Sequence, residues 1–119
     1  MVKKYELTNE TIEVGGKILH RIRALRDLGD VKKGDLGGYI EKEDNLSHDG
    51  NCWIGDYAKV YGNAKVFDYA RIYGNSVIGK SVHVYGNAKI YNQAYICCRV
   101  NIAGNCKISG STIIEEREK

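Results

Sequence analysis

Residues 54–90 read IGDYAKVYGNAKVFDYARIYGNSVIGKSVHVYGNAKI, and the segment repeats itself every six residues. Stepping by sixes gives Ile54, Val60, Val66, Ile72, Ile78, Val84 and Ile90, and the series runs on through Ile96, Ile102, Ile108 and Ile114. Every member is β-branched and aliphatic. Two residues earlier stands a smaller side chain: Cys52, Ala58, Ala64, Ala70, Ser76, Val82, Ala88, Ala94, Val100, Cys106 and Thr112. Residues two apart on an extended chain share a side, so each hexad puts one large and one small side chain on a common inner face. Gly-Asn pairs at 50–51, 62–63, 74–75, 86–87 and 104–105 fall where the chain must turn, and φ > 0 is accessible there. A period of six is too short for a helical repeat or a propeller blade. It implies a parallel β-helix whose units bury little until they are stacked.

The phrases Ile54-Gly55-Asp56-Tyr57-Ala58-Lys59, Ile78-Gly79-Lys80-Ser81-Val82-His83 and Ile102-Ala103-Gly104-Asn105-Cys106-Lys107 resemble the hexapeptide motif of left-handed β-helix proteins. That resemblance covers about half of the chain. It implies triangular coils of three hexads, three to four of them here, and a left-handed turn; the spacing alone would serve either hand. A looser resemblance, to uncharacterised phage and prophage hexapeptide-repeat proteins, rests on Arg23-Ala24-Leu25-Arg26-Asp27, the run from Gly29 to Gly38 and Asn45-Leu46-Ser47. It implies an accessory protein of a mobile element.

Outside the repeat, residues 1–34 predict an N-terminal β-hairpin cap. Thr11 to Val14 and Lys17 to Leu25 flank Gly15-Gly16, and Lys4 to Leu7 forms a short strand that could join them. Such a cap shields the open end of a coil. The β-helix is expected over 35–114 and a polar tail over 115–119. The first coil is expected to be irregular and bulged, because Lys42 and His48 fall on aliphatic positions. Arg21, Arg23 and Arg26 make either a basic ridge or an ordinary solvated strand face.

With 119 residues the chain is one all-β domain, short enough to need a regular core or oligomerisation. No apolar run approaches a membrane span, and basic Lys3-Lys4 is followed by no apolar core, so a cytoplasmic location is expected, in the host cell if phage-encoded. Cys52 and Cys106 read as buried small residues, roughly 14 Å apart at ~4.8 Å per coil and too distant for a disulfide. Cys97 and Cys98 take an outward place and a corner, and no partner set at metal-ligand spacing accompanies them.

Coils of eighteen residues stack outward side chains in ladders. The first face carries Trp53, Arg71, Tyr73, Lys89, Tyr91 and Lys107, basic and aromatic together. The second carries Lys59, Tyr61, Val77, Tyr95, Cys97 and Ile113, and the third Lys65, Phe67, His83, Tyr85 and Asn101. Residues 1–50 have net charge −1 and residues 51–119 net +4. The first face therefore reads as a binding surface for a host protein or nucleoprotein, with direct nucleic-acid contact a further use, although solvated side chains covering the sheet give the same pattern. Tyr61, Val77, Tyr95 and Ile113 read as the contact of a homodimer or homotrimer.

The resembled family also contains acyltransferases, which use a histidine base in a cleft between subunits, and zinc-dependent carbonic anhydrases. His83 is the one histidine of the regular coil, but no loop leaves the coil between Asn51 and Ile114, and three convergent histidines are not available. The expectation is thus a non-enzymatic binding protein, an inhibitor of a host defence factor, with no catalytic residues, metal or cofactor. Its alternatives are a structural oligomerisation module such as a trimeric phage component, and a hexapeptide acyltransferase with His83 as base.

Overall fold

A computed structural model describes residues 3–110 and the backbone of 113–115. The polar tail expected over 115–119 thus lies almost wholly outside the described residues. An antiparallel pair opens the chain: β1 (Tyr5–Val14) and β2 (Lys17–Ala24) turn at Gly15-Gly16, both with positive φ. The early strand from Lys4 is not separate. It is the first part of β1, joined across a bulge between Leu7 and Thr11. Strand β3 (Leu36–Ile40) pairs antiparallel with β2 and parallel with the coil, so it carries the sheet from cap to helix.

Two- and three-residue strands follow: β4 (Trp53–Ile54), β5 (Lys59–Val60), β6 (Lys65–Val66), β7 (Arg71–Ile72), β8 (Val77–Gly79), β9 (His83–Val84), β10 (Lys89–Ile90), β11 (Tyr95–Cys97), β12 (Asn101–Ile102), β13 (Lys107–Ile108) and β14 (Ile113–Glu115). They form three parallel sheets. One runs β4-β7-β10-β13, another β6-β9-β12, and the third adds β5-β8-β11-β14 to the cap. The result is a left-handed parallel β-helix of about four turns. The register is eighteen residues, as in Ile54 opposite Ile72 and Ile72 opposite Ile90.

Both inner series fill the core. Ile54, Val60, Ile72, Ile78, Val84, Ile90 and Ile96 are fully buried, as are Ala58, Ala64, Ala70, Val82, Ala88 and Ala94. Cys106 departs from the expectation of burial and is exposed, because among the described strands none stacks beyond β13. The corners hold positive φ at Gly50, Gly62, Gly74, Gly86 and Gly104, and also at Asp56, Asp68, Lys80 and Asn92. At Gly74 an added Cβ would sit 2.8 Å from the Asn92 backbone nitrogen, so both conformation and the close approach of the next coil require glycine.

The first coil is longer by two residues, which is the physical form of its irregularity. Ile40 pairs with Val60 and Leu46 with Val66, twenty apart, whereas Ile54 pairs with Ile72, eighteen apart. Ile40 and Leu46 are the true inner aliphatics, both fully buried, and the extra residues lie between Leu46 and Trp53. Lys42 and His48 therefore do not occupy inner positions. Lys42 is exposed and the His48 ring stacks on Tyr5 at 4.2 Å. A 3-10 turn (Glu43–Asn45) closes this coil around buried Asn45, whose Oδ1 accepts from the Glu41 and Lys42 amides while Nδ2 donates to the Gly62 and Ala64 carbonyls.

Candidate functional site

The segment after β2 folds back over the face formed by β4, β7 and β10. Leu28, buried, exchanges backbone hydrogen bonds with Val31, and the Asp27 and Asp35 carboxylates accept from the Lys33 and Lys32 amides. This pinned loop and the sheet enclose a groove of about 720 Å³, with Asp30, Val31, Asp35 and Leu36 on one wall and Trp53, Tyr69, Arg71, Tyr73 and Lys89 on the other. A search for a projecting loop confined to the hexads misses this wall, because it comes from upstream of them.

Four of the six residues expected to bind on the first face line this groove. Trp53 is only 4% exposed, contrary to its reading as an open rung. Its ring lies against Gly37, where a Cβ would come within 2.7 Å of it, and beside Gly55 at 3.6 Å. Arg71 reaches Asp30 at 3.5 Å, and Lys89 occupies the next rung in register with it. Tyr73 stacks on Tyr91 at 5.2 Å, its phenol held above the usual range by burial, then by Tyr91 and Asp56. Tyr91 itself does not line the groove, and Lys107 is one rung further, exposed.

The arginine ridge of the cap is committed to structure. Arg21 donates from Nε to the Gly37 carbonyl and from Nη1 to Glu10, and it covers the Tyr39 and Tyr57 rings at 5.3 and 5.4 Å. Its hydrogen bond, seconded by one from Tyr39, holds the Glu10 carboxyl below the usual range. Arg23 is paired with Glu6, and Arg26 donates to the His48 carbonyl.

On the second face, Val77 and Tyr95 stack in register, with Tyr95 37% exposed. The side chain of Ile113 lies outside the described residues. Tyr61 does not stand out from this face. It lies across Gly79, where a Cβ would meet its ring at 2.7 Å, and its hydroxyl reaches Cys97 Sγ at 3.4 Å. Cys97 and Cys98 are consequently buried and not at the surface. All four cysteines are free, and among the described residues no group of three or more His, Cys, Asp or Glu is placed to hold a metal.

The three histidines differ in what they offer. His48 accepts the Lys4 amide at Nδ1, which leaves Nε2–H to donate to Glu43 at 2.8 Å, so neither nitrogen has a lone pair to spare. His20 donates Nδ1–H to the Thr8 carbonyl within the hairpin. His83 stands half-buried on the third face, between Lys65 and Asn101 in the ladder, with its ring edge-on to Phe67, which stacks on Tyr85. Among the described residues neither ring nitrogen of His83 has a hydrogen-bond partner. It is the coil's available proton acceptor, and it is on a different face from the groove.

No family model matches the chain. A comparison with curated sequences finds similarity to the uncharacterized acetyltransferase YdcK of Escherichia coli K12, 37% identical over 67 residues. The matched part is 50% of this chain and 21% of that protein, so the chain spans about a fifth of the length of this relative. Match and coil together fit the hexapeptide-repeat class, while the likeness to phage-borne proteins gains no support. The match also corrects the expectation of a non-enzymatic inhibitor of host defence, because the relative found is named as an acetyltransferase.

Proposed function

We propose that the chain is an acyl-transfer unit of the hexapeptide type, moving an acetyl or longer acyl group from a thioester carrier to an amine or hydroxyl. The observation that carries this reading is the similarity to a named acetyltransferase in a chain whose coil presents a histidine with free ring nitrogens. His83 takes the acceptor's proton as its heteroatom attacks the thioester carbonyl. Collapse of the tetrahedral intermediate breaks the carbon–sulfur bond, and the imidazolium returns the proton to the leaving thiolate.

The groove suits the carrier. Arg71 and Lys89 stack as successive cations in the groove, with Lys107 one rung beyond, for the anionic part of a thioester carrier, and Tyr69 and Tyr73 give rings for its flat or apolar parts. Since His83 and the groove occupy different faces of one coil, the working site joins the groove of one copy to His83 of a neighbour. The Tyr61, Val77, Tyr95 and Ile113 face offers a further contact for such an oligomer.

Thiol release from an acetyl thioester, measured over a panel of amine and hydroxyl acceptors, tests the reading. His83→Ala is expected to lower kcat about 10²- to 10⁴-fold with unchanged Tm. Thiol release by the unmodified protein no faster than the solution reaction would overturn it.

A further inference from the structure

Lys4 is a lysine where none is expected. Its side chain is fully buried, and Nζ donates to the Cys52 carbonyl at 2.7 Å, to the Gly50 carbonyl at 3.5 Å and to Cys52 Sγ at 3.1 Å. Cys52 is equally buried, with the Ser47, Asp49 and Val66 carbonyls 3.6–3.7 Å from its sulfur. Besides this thiol, the cations Arg26 and Arg71 act on Lys4, and among the described residues no carboxylate forms an ion pair with it. Burial lowers the Lys4 amine and raises the Cys52 thiol, so both are driven toward neutral forms. Nζ bonds to two carbonyls, and its third contact is the sulfur, 3.1 Å away.

We propose that Lys4 and Cys52 form an oxidation-responsive pair that closes to a covalent sulfur–nitrogen bond in the presence of a peroxide. The amine accepts the thiol proton, the thiolate attacks the O–O bond, and the ammonium passes that proton to the departing hydroxide, which leaves sulfenic acid, one water and the free amine. Lys4 Nζ then attacks that sulfur, the S–N bond forms and the hydroxyl departs as a second water with a proton from nitrogen. One peroxide is reduced, sulfur loses two electrons, and the pair loses two hydrogens. Access needs only a local opening of the first residues of the cap, since peroxide is close to water in size. The bond ties the start of β1 to the first regular hexad, across the two-residue insertion of the first coil. This chemistry is independent of acyl transfer.

Hydrogen peroxide added to the folded full chain, followed by proteolysis and mass spectrometry, tests the pair. The expected product is a peptide joining Lys4 to Cys52, about 2 Da lighter than the sum of its parts, reopened by a thiol reductant and accompanied by a Tm rise of about 10 °C. It should be absent from Lys4→Arg, which keeps hydrogen-bond donors without a nucleophilic amine, and from Cys52→Ser. Should either variant fail to fold, oxidation of the unmodified chain in urea is the control, and the product must disappear there. The proposal is overturned if Cys52 stays reduced, if it gains two or three oxygens while Lys4 stays free, or if the same cross-link forms equally in urea.

Discussion

The regular coil and the cap-to-coil junction are built from the same kind of sheet but held by different forces. From Ile54 to Ile102 each coil repeats one arrangement: a large and a small apolar side chain inside, a positive φ at the corner, and backbone bonds to the coils on either side. From Lys4 to Cys52 no arrangement is repeated. That region is closed by single polar side chains reaching across the sequence, among them Lys4 to Cys52, Tyr5 to the Leu46 carbonyl at 2.6 Å, Asn45 to four backbone groups and Arg21 to Gly37. Packing in a repeat is redundant in kind. A buried hydrogen-bonding side chain has no substitute.

If that contrast holds, the largest single loss in the coil comes from a cavity. Ile72→Ala, at the fully buried inner position of β7, is expected to cost about 4 kcal/mol in urea unfolding, and Ile72→Val about 1 kcal/mol, a graded response to volume. Asn45→Ala tests the other side, with an expected loss of about 3 kcal/mol from the stranded Lys42 amide and two stranded carbonyls, the Glu41 amide keeping its bond to the Val60 carbonyl. Here Asn45→Leu should recover nothing, and recovery by Leu would erase the distinction. Corners sharpen it at smaller scale. Lys80 holds φ 54 with no side-chain bond to its neighbours, so Lys80→Gly should gain about 0.5–1 kcal/mol. Asp56→Gly should gain nothing, because the Asp56 carboxylate accepts the Gly74 amide at 3.0 Å and that bond would be lost.

The smallest effect is a pH dependence at the junction of cap and coil. The hydrogen bond from His48, with Lys3 second, holds the Glu43 carboxyl below its usual range. A carboxyl depressed on folding stabilises fully above its unfolded value, near 4.3, and that contribution fades as pH falls through the folded value. Acid titration of Tm should therefore be shallower below pH ~4.5 in Glu43→Gln than in the unmodified chain.

Sequence was most informative where it repeated. The inner series and the corners are legible from the hexads, while the eighteen-residue ladders followed from the family resemblance. What escaped reading depended on one residue covering another. Strand parity placed Trp53 and Cys97 outside, and parity is right, but Gly37 and Gly79 leave open seats that the Trp53 and Tyr61 rings fill. For Cys97, the glycine directly after the inner Ile78 was the available signal. The two-residue lengthening of the first coil was hidden because Ile40 and Leu46 keep the six-residue step while losing phase with Ile54. The groove wall, Asp30 to Leu36, lies outside the repeat and is positioned by the Leu28–Val31 bridge, which no hexad specifies. His83 was legible as the coil's one histidine; its freedom from hydrogen bonding was not.

The most direct test of the proposed site is a mixing experiment. His83→Ala lacks the base and Arg71→Glu lacks the groove cation, so each alone should be nearly inactive in thiol release. Unfolded together and refolded as mixed oligomers, they should regain a substantial fraction of the unmodified activity, because some sites would then pair an intact groove with an intact His83. Mixed samples no more active than the two variants apart would contradict a site shared between copies.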